Sequence, residues 1–194
     1  SELRLTDAIE SLEHGFVLYD AQDRFVLCNG RYRAMSPELA DCMVPGASFE
    51  EIAVNAARRG FIEGAGDDPS EWVRERIRRR NSGTGAFLQH LENGRWLEIR
   101  DRRTREGGLV TTYTDVTETK RREAELAEAL RTKERLLAEL KVVLDAIDYG
   151  IVFMDSELRV RLVNRVFRSM CDIPDEFLAK RPSFRDLLEH NRRA

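Results

Sequence analysis

The protein has 194 residues, of which 42% are hydrophobic and 35% are charged, and its formal net charge is −3. This composition is typical of a globular protein with an apolar core, and the acidic balance gives no electrostatic support for nucleic-acid binding. No apolar run approaches the roughly 18 residues of a membrane span, and the opening residues do not resemble a signal peptide, so we expect no membrane contact in this segment. The three cysteines include no CxxC pair, which favours reduced thiols and a cytoplasmic location.

The beginning of the chain predicts a helix, a strand pair and a second helix. The spacing of apolar residues indicates an amphipathic helix over residues 4–13. Apolar runs at 16–19 and 24–28, separated by a polar turn, indicate two strands. Asn29 follows the second strand where a helix N-cap belongs, so a short helix is expected next.

Residues 48–83 predict two further helices. Ser48 and Glu51 have the spacing of a capping box, which predicts that a helix begins there. The next helix begins at Asp68 or Ser70 and ends before Gly83. We interpret the arginines of this helix as a solvent-exposed face rather than as an anion site: Arg74, Arg76, Arg78, Arg79 and Arg80.

Three more strands follow, at residues 87–92, 95–102 and 109–114. Asn93-Gly94 between the first two of them is a strong hairpin signal. The count is five strands, with helices inserted between the second and the third. We therefore predict an α+β fold, a five-stranded antiparallel sheet with inserted helices.

The periodicity then changes from two to three and a half, which predicts a coiled-coil helix over residues 116–147. Such a helix is about 48 Å long, and a parallel homodimer is the economical way to cover its apolar residues. Packing of the helix on its own domain is the alternative. The predicted seam consists of Val116, Thr119, Glu123, Leu126, Leu130, Lys133, Leu137, Leu140, Leu144 and Ile147.

An internal repeat with an offset of 135 residues pairs residues 15–35 with residues 150–170. Gly15 matches Gly150, and Asn29 matches Asn164. Residues 148–194 are thus interpreted as the truncated beginning of a second copy. Because a strand pair without further partners is marginally stable, we expect this copy to be either mobile or completed by another chain.

The opening GFVLYDAQDRFVLCNGRY and the closing TDVTETKRREAEL resemble the PAS domains of bacterial signalling proteins. The Asp115-Val116-Thr117-Glu118 sequence is similar to the signature at which a PAS sheet passes into its signalling helix. The resemblance implies a PAS domain at 1–115, a signalling helix at 116–147 and part of a second PAS domain at 148–194. It also implies that Asp115, Thr117 and Glu118 couple the sheet to the helix.

A PAS domain encloses a cavity between its sheet and its inserted helices, so the resemblance raises the question of a ligand pocket. A filled core is the alternative, and we favour it. The apolar and aromatic residues that could line such a pocket are Phe16, Leu18, Leu27, Phe61, Trp72, Ile77, Leu88, His90, Trp96, Ile99 and Tyr113.

The sequence carries no evident cofactor motif and no catalytic constellation. Haem needs an axial ligand, and none of His14, His90 and His190 lies on the inserted helix at 71–80, where haem-binding relatives often place theirs. Photoactive flavin-binding relatives carry an Asn-Cys-Arg-Phe motif, and the most similar sequence here is Cys28-Asn29, in which the two residues are in reverse order. We therefore expect neither haem nor flavin, and no metal site.

Three functions remain open. The first is a sensory or relay module that passes a change in the PAS domain through a dimeric helix to a C-terminal effector domain. A histidine kinase is the first choice for this effector, and a diguanylate or adenylate cyclase is the second. The other two functions are a small-molecule receptor and a purely structural dimerisation module. None of them makes this segment an enzyme.

Overall fold

The computed structural model describes residues 2–65, 68–83 and 85–193. The chain divides into two compact units, Ser1–Glu123 and Ala124–Ala194. None of the described helices is long and apolar enough to cross a lipid bilayer.

The first unit contains a five-stranded antiparallel sheet, as the sequence predicts. Its strands lie in the order β2-β1-β5-β4-β3, so the first and last strands of the chain segment are neighbours in the centre. One sheet face is buried, and in β1 the core residues Val17 and Tyr19 alternate with less buried ones. The strands are β1 (Gly15–Tyr19), β2 (Phe25–Cys28), β3 (Ala86–His90), β4 (Trp96–Arg103) and β5 (Leu109–Asp115).

Helices precede the sheet and fill the connection between β2 and β3. The predicted capping box is present, because the Ser48 side chain accepts from the Glu51 backbone N–H and the Glu51 side chain accepts from the Ser48 backbone N–H. Asp68 caps the last helix of the group, and Gly83, with φ +65°, ends it in the left-handed region. The helices are α1 (Glu2–Glu10), α2 (Gly30–Met35), a 3₁₀ turn (Pro37–Leu39), α3 (Phe49–Arg58) and α4 (Pro69–Ser82).

The long helix α5 (Thr117–Asp145) begins one residue after β5. The second unit then contains one two-stranded antiparallel sheet among its described residues. A small core of Val160, Ile173 and Leu187 holds this unit together. The elements are β6 (Val152–Met154), β7 (Val160–Val163), α6 (Arg165–Cys171), α7 (Asp175–Ala179) and α8 (Phe184–Arg193).

Asn29 is the polar centre around which the first strand pair and its flanking helices are organised. It is fully buried. Its Oδ1 accepts from the backbone N–H groups of Phe16 (2.9 Å) and Tyr32 (3.0 Å). Its Nδ2 donates to the carbonyls of Ile9 (3.1 Å) and His14 (2.9 Å). One side chain thus joins α1, β1 and α2.

Asn164 makes the same four hydrogen bonds in the second unit, and each partner lies 135 residues after its counterpart. Oδ1 accepts from Ile151 (2.8 Å) and Phe167 (3.0 Å), and Nδ2 donates to Leu144 (3.0 Å) and Tyr149 (2.7 Å). The sequence repeat is therefore also a structural repeat. The end of α5 takes the place of α1 in this second copy.

Replacing Asn29 with alanine is expected to lower the free energy of unfolding of the first unit by about 3 kcal/mol, because several buried backbone groups lose their partner at once. Urea unfolding followed by circular dichroism measures the change. Asn81→Ala is the control, because Asn81 is exposed on a helix, and it is expected to cost less than about 0.5 kcal/mol. Equal unfolding midpoints for the two variants would contradict the role given to Asn29.

Candidate functional site

A cavity of about 50 Å³ lies inside the first unit, between the buried sheet face and the inserted helices. Because one water molecule needs at least about 10–15 Å³ of such volume, this cavity is large enough for a few waters. The walls combine aromatic and aliphatic side chains with a small number of polar groups. The lining residues are Tyr19, Tyr32, Ser36, Leu39, Phe49, Ile52, Ala53, Ala56, Phe61, Ile62, Trp72, Arg76, Gln89, Leu91, Leu97, Ile99 and Tyr113.

The predicted pocket residues only partly coincide with this cavity. Four of them line it: Phe61, Trp72, Ile99 and Tyr113. Seven do not, and for these the prediction is corrected: Phe16, Leu18, Leu27, Ile77, Leu88, His90 and Trp96. Ile77 instead packs half-buried against the core.

The phase of the strand alternation explains most of these corrections. In β1, Val17 and Tyr19 face the core, so Phe16 and Leu18, which alternate with them, face the other way. Because the side-chain period of a strand is two, an error of one residue moves a whole set to the opposite face. Gly15 could have fixed the phase, since a Cβ there would meet the Tyr32 ring at 3.2 Å.

Leu88 and His90 are corrected for the same reason, because the buried Gln89 lies between them in β3, whereas Leu27 lies in the exposed middle of β2. Leu27 and Leu88 are 36% and 43% exposed. The His90 ring stacks on Trp96, with centroids 4.3 Å apart, and its Nδ1 pairs with the Glu63 carboxylate. His90 therefore makes its side-chain contacts with Trp96 and Glu63 and does not line the cavity.

Two arginines of α4 are buried, which the sequence analysis missed. Arg76 and Arg80 lie one helical turn apart and are 4% and 1% exposed, whereas Arg74, Arg78 and Arg79 are exposed as predicted. A signal was present, because Val73, Arg76 and Arg80 follow the three-and-four spacing of a buried helix face. The interpretation of all five arginines as a solvated face is therefore wrong for these two.

Asp101 of β4 is the shared carboxylate of the two buried arginines. Its oxygens accept from Arg76 Nη1 (2.7 Å) and Nη2 (3.3 Å) and from Arg80 Nη1 (3.1 Å). The Thr111 hydroxyl of β5 donates to Asp101 (2.6 Å) and accepts from Arg80 (2.8 Å). The network thus ties α4 to two central strands.

Arg80 also reaches the turn between β1 and β2. Its Nη2 donates to Asp23 Oδ1 at 2.7 Å, and Asp23 holds the left-handed backbone of that turn with φ +58°. The Arg80 guanidinium lies about 4 Å from the ring centroids of Tyr19 (4.1 Å) and Phe49 (4.0 Å). Both rings also line the cavity, so the ion network and the cavity share walls.

Burial and charge set the protonation of these groups. Burial by itself raises the pKa of Asp101, but the hydrogen bonds and positive charges of Arg76 and Arg80, with the Thr111 hydroxyl, outweigh it and hold this pKa below its usual range. Burial raises the pKa of Tyr19, Tyr32 and Tyr113 as well. The cavity therefore presents neutral phenols beside a permanently charged guanidinium.

The junction between β5 and α5 brings Asp115 and Thr117 together, and their predicted coupling role stays a prediction. Asp115 Oδ1 accepts from the Thr117 backbone N–H (3.0 Å) and hydroxyl (2.5 Å), and the Thr117 hydroxyl accepts from the Trp96 backbone N–H (3.0 Å). Burial raises the pKa of Asp115, but the bonds from Thr117 and the charge of Arg95 lower it further than burial raises it.

Arg95 completes this junction, and the sequence analysis did not single it out. Its Nε donates to Asp115 Oδ2 (3.2 Å), and its Nη1 donates to the Met35 carbonyl at the end of α2 (2.9 Å). Glu118, in contrast, does not join the junction. It pairs with Arg121 and Arg122 along the helix surface.

The leucines of the predicted seam are exposed on α5. Leu126, Leu130, Leu137 and Leu140 are between 45% and 63% exposed, and Lys133 is exposed among them. Leu144 differs, because it is 6% exposed within the second unit, where it occupies the position of Ile9 in the repeat. The exposed seam therefore ends at Leu140, and its role in dimerisation stays a prediction.

The sequence matches the family described as the PAS fold over residues 9–124 and 144–194. The chain belongs to the PAS family. The resemblance stated from the sequence is confirmed, and both copies of the repeat fall within the matched PAS regions.

The relatives of these PAS regions include one curated protein and several solved structures. The chain is 36% identical over 137 residues to the non-motile and phage-resistance protein of Caulobacter vibrioides, covering 71% of this chain and 14% of that protein. The PAS domain of BvgS from Bordetella pertussis is 16% identical, with 66% of this chain and 97% of that one covered and a TM-score of 0.39. A domain of a sensory box sensor histidine kinase/response regulator from Geobacter sulfurreducens is 15% identical, with 59% and 93% covered and a TM-score of 0.37.

We expect Asp101→Asn to lower the free energy of unfolding at pH 7 by about 3 kcal/mol, because the buried Arg76 loses its charged partner and the buried Arg80 is left with Asp23 alone. Since the folded pKa of Asp101 is lowered, its contribution is complete above the unfolded pKa of about 3.9 and is lost as the pH falls through the folded value. The difference between wild type and variant therefore shrinks in acid. Denaturant unfolding between neutral and strongly acidic pH measures it.

Asp41→Asn is the matched control for this experiment. Asp41 makes a bidentate pair with Arg59, with distances of 2.6 and 2.8 Å, and this pair is exposed to solvent. We expect no comparable loss of stability in this variant. A pH-independent difference for Asp101→Asn would contradict the ionised state assigned to the buried carboxylate.

Proposed function

We propose that this chain is a sensory relay module of a bacterial signal-transduction protein. A change in the cavity of the first PAS domain passes through the β5–α5 junction to α5, which dimerises and transmits it towards a C-terminal output domain. A histidine kinase is the output we propose, and a diguanylate or adenylate cyclase is the alternative. The chain spans 14% of the curated relative that it matches, so the whole protein's activity is part of the proposal.

The observation that carries the proposal is the direct passage from the central strand β5 into α5. Val116 is the one residue between them, and its N–H still donates to the Trp96 carbonyl (2.9 Å). On either side of Val116, Asp115 and Thr117 hold the β5–α5 junction through their hydrogen bonds to each other and to Trp96. A helix fixed to the sheet in this way follows a movement of β4 or β5 rather than swinging freely.

Two short chains of contacts connect the cavity with the β5–α5 junction. Tyr113 lines the cavity two residues before Asp115, and its ring lies 4.6 Å from that of Tyr32. Tyr32 belongs to α2, whose last carbonyl is held by Arg95. A displacement of either tyrosine therefore reaches Asp115 through one strand or through one helix and one arginine.

Dimerisation through α5 is the second element of the proposal. The exposed seam leucines form an apolar row at heptad spacing, and a second copy of the same row fits it in a parallel coiled coil. We propose no catalytic role for this segment, and we propose that it uses neither haem nor flavin. Its cytoplasmic location and its lack of nucleic-acid partners stay predictions.

Changing Leu130 and Leu137 to lysine is expected to weaken dimerisation on the order of 100-fold or more, because each buried leucine contributes about 1.5–3 kcal/mol. Sedimentation equilibrium measures the dissociation constant. Val142→Lys is the control, because Val142 is an apolar residue of α5, 70% exposed, and lies outside the seam. A monomeric wild-type chain at all concentrations would overturn the coiled coil.

The relay itself is tested by filling the cavity. Ala53 lines the cavity and is 4% exposed, so Ala53→Leu adds volume inside it, and Ala21→Leu adds the same volume at the surface. Nitroxide labels at Glu128 of the two chains, with Cys42 and Cys171 replaced by serine, report α5 distances. We expect Ala53→Leu alone to shift the distance distribution.

The added change Asp115→Ala is expected to abolish that shift, because it removes the bonds to Thr117 and Arg95. An identical distance distribution in Ala53→Leu, Ala21→Leu and wild type would reject the relay. That result would favour the structural dimerisation module instead.

A further inference from the structure

We propose that the cavity of the first PAS domain binds a small monocarboxylate, whose carboxylate group is held by the guanidinium of Arg76. This inference rests on the proposed sensory function and names the class of signal. The geometry of Arg76, the charge balance of the buried network, the uncharged remainder of the wall and the size of the cavity support this assignment.

Arg76 is placed and held for such a contact. It lines the cavity and is 4% exposed. Asp101 accepts one bond from each of its terminal nitrogens, which leaves three of the five N–H groups of a guanidinium. The Phe49 and Phe87 rings, 5.1 and 4.7 Å from the guanidinium carbon, keep the group in place. A fixed fork of this kind matches a carboxylate in both charge and geometry.

The buried charges favour an added anion. The side chains of Arg76 and Arg80 are 4% and 0% exposed, and Asp101, at 7%, is the buried carboxylate that faces both. Asp23 is 43% exposed and contacts Arg80 rather than Arg76. The enclosed part of the network therefore carries an excess positive charge beside the cavity, where the low dielectric strengthens its attraction for an anion.

The remaining polar groups of the wall carry no negative charge that would repel a carboxylate. Burial raises the pKa of Tyr19, Tyr32 and Tyr113, so their hydroxyls are neutral, and the Tyr32 hydroxyl is already hydrogen-bonded to Tyr113 and Ser36. Gln89 is already engaged, since its Oε1 accepts from Trp72 Nε1 (3.3 Å) and its Nε2 donates to the His90 carbonyl (2.9 Å). The N–H groups that Arg76 keeps beyond its bonds to Asp101 are thus the donors that the wall offers to a carboxylate.

The size of the cavity limits the ligand. A volume of about 50 Å³ corresponds to three to five water-sized volumes of about 10–15 Å³ each. Propionate and pyruvate, which have few non-hydrogen atoms and one carboxylate, are of this size. Larger acids need the walls to move.

The first test titrates the unaltered chain with propionate and with its neutral analogue propionamide. The protein has two tryptophans, of which Trp72 lines the cavity and Trp96 does not, so the two indole N–H resonances in an NMR spectrum are a probe and an internal control. Trp96→Phe assigns them. We expect propionate to shift the Trp72 signal saturably, and propionamide to bind at least about tenfold more weakly.

Variants of α4 test the role of Arg76. Arg76→Gln is expected to weaken propionate binding about 10- to 100-fold, the range for losing a hydrogen bond to a charged group, and Arg76→Lys is expected to fall between. Arg74→Gln, on the exposed face, is the control and leaves the affinity unchanged. Should Arg76→Gln not fold, the comparison of propionate with propionamide on wild type decides.

Two outcomes overturn the proposal: no saturable shift of Trp72 at about 20 mM propionate or pyruvate, or equal affinities for propionate and propionamide. The distance measurement on α5 keeps the proposed function separate. Propionate binding without any change at Glu128 supports the carboxylate site and rejects the relay. A shift caused by Ala53→Leu, with no propionate binding, supports the relay and rejects this ligand class.

Discussion

The buried contact of Asp101 with Arg76 and Arg80 is the constraint on which the first PAS domain depends. Removing three charged groups from water costs several kcal/mol for each ion unless every group finds partners. Here those partners come from α4, β4, β5 and the turn after β1. The elements that surround the cavity are therefore held in one arrangement by a requirement for charge pairing, in addition to apolar packing.

The two copies of the repeat separate local from long-range specification. The Asn29 and Asn164 centres use partners at most 20 residues away, and they are reproduced bond for bond. The Asp23–Arg80 contact spans 57 residues, and the position equivalent to Asp23 is Leu158, 59% exposed. Leu158 nevertheless keeps the left-handed backbone, with φ +58° in both copies. The turn is thus specified locally, whereas the charge pair is an addition of the first copy.

This distinction explains what the sequence could and could not predict. The Ser48 capping box, the Asn29 cap and the Asn93-Gly94 hairpin are local signals, and each predicts its element because neighbouring residues decide the outcome. The prediction of the cavity lining was wrong at Phe16 and Leu18, because strand alternation allows two phases and only packing against α2 selects one of them.

The buried arginines show a further limit of sequence reasoning. Charge runs on helices are most often solvated, and Arg74, Arg78 and Arg79 follow that rule. The Asp101 partner of Arg76 and Arg80 lies more than 20 residues away in another element. No local pattern reveals such a partner, although the helical spacing of the two arginines with Val73 marks the face on which it had to lie.

Strand β4 connects the charge network to the start of α5. Asp101 lies in its second half, Leu97 and Ile99 line the cavity in between, and Trp96 at its start contacts Thr117 of α5. An anion bound at Arg76 shares the guanidinium with Asp101 and weakens the attraction that holds this carboxylate. In the proposed mechanism, a small change at Asp101 reaches Trp96 along β4 and reaches Asp115 through the ladder bonds between β4 and β5. In the proposed mechanism, the group that stabilises the domain is thus also the group through which a ligand acts on the helix, and a separate sensing element is unnecessary.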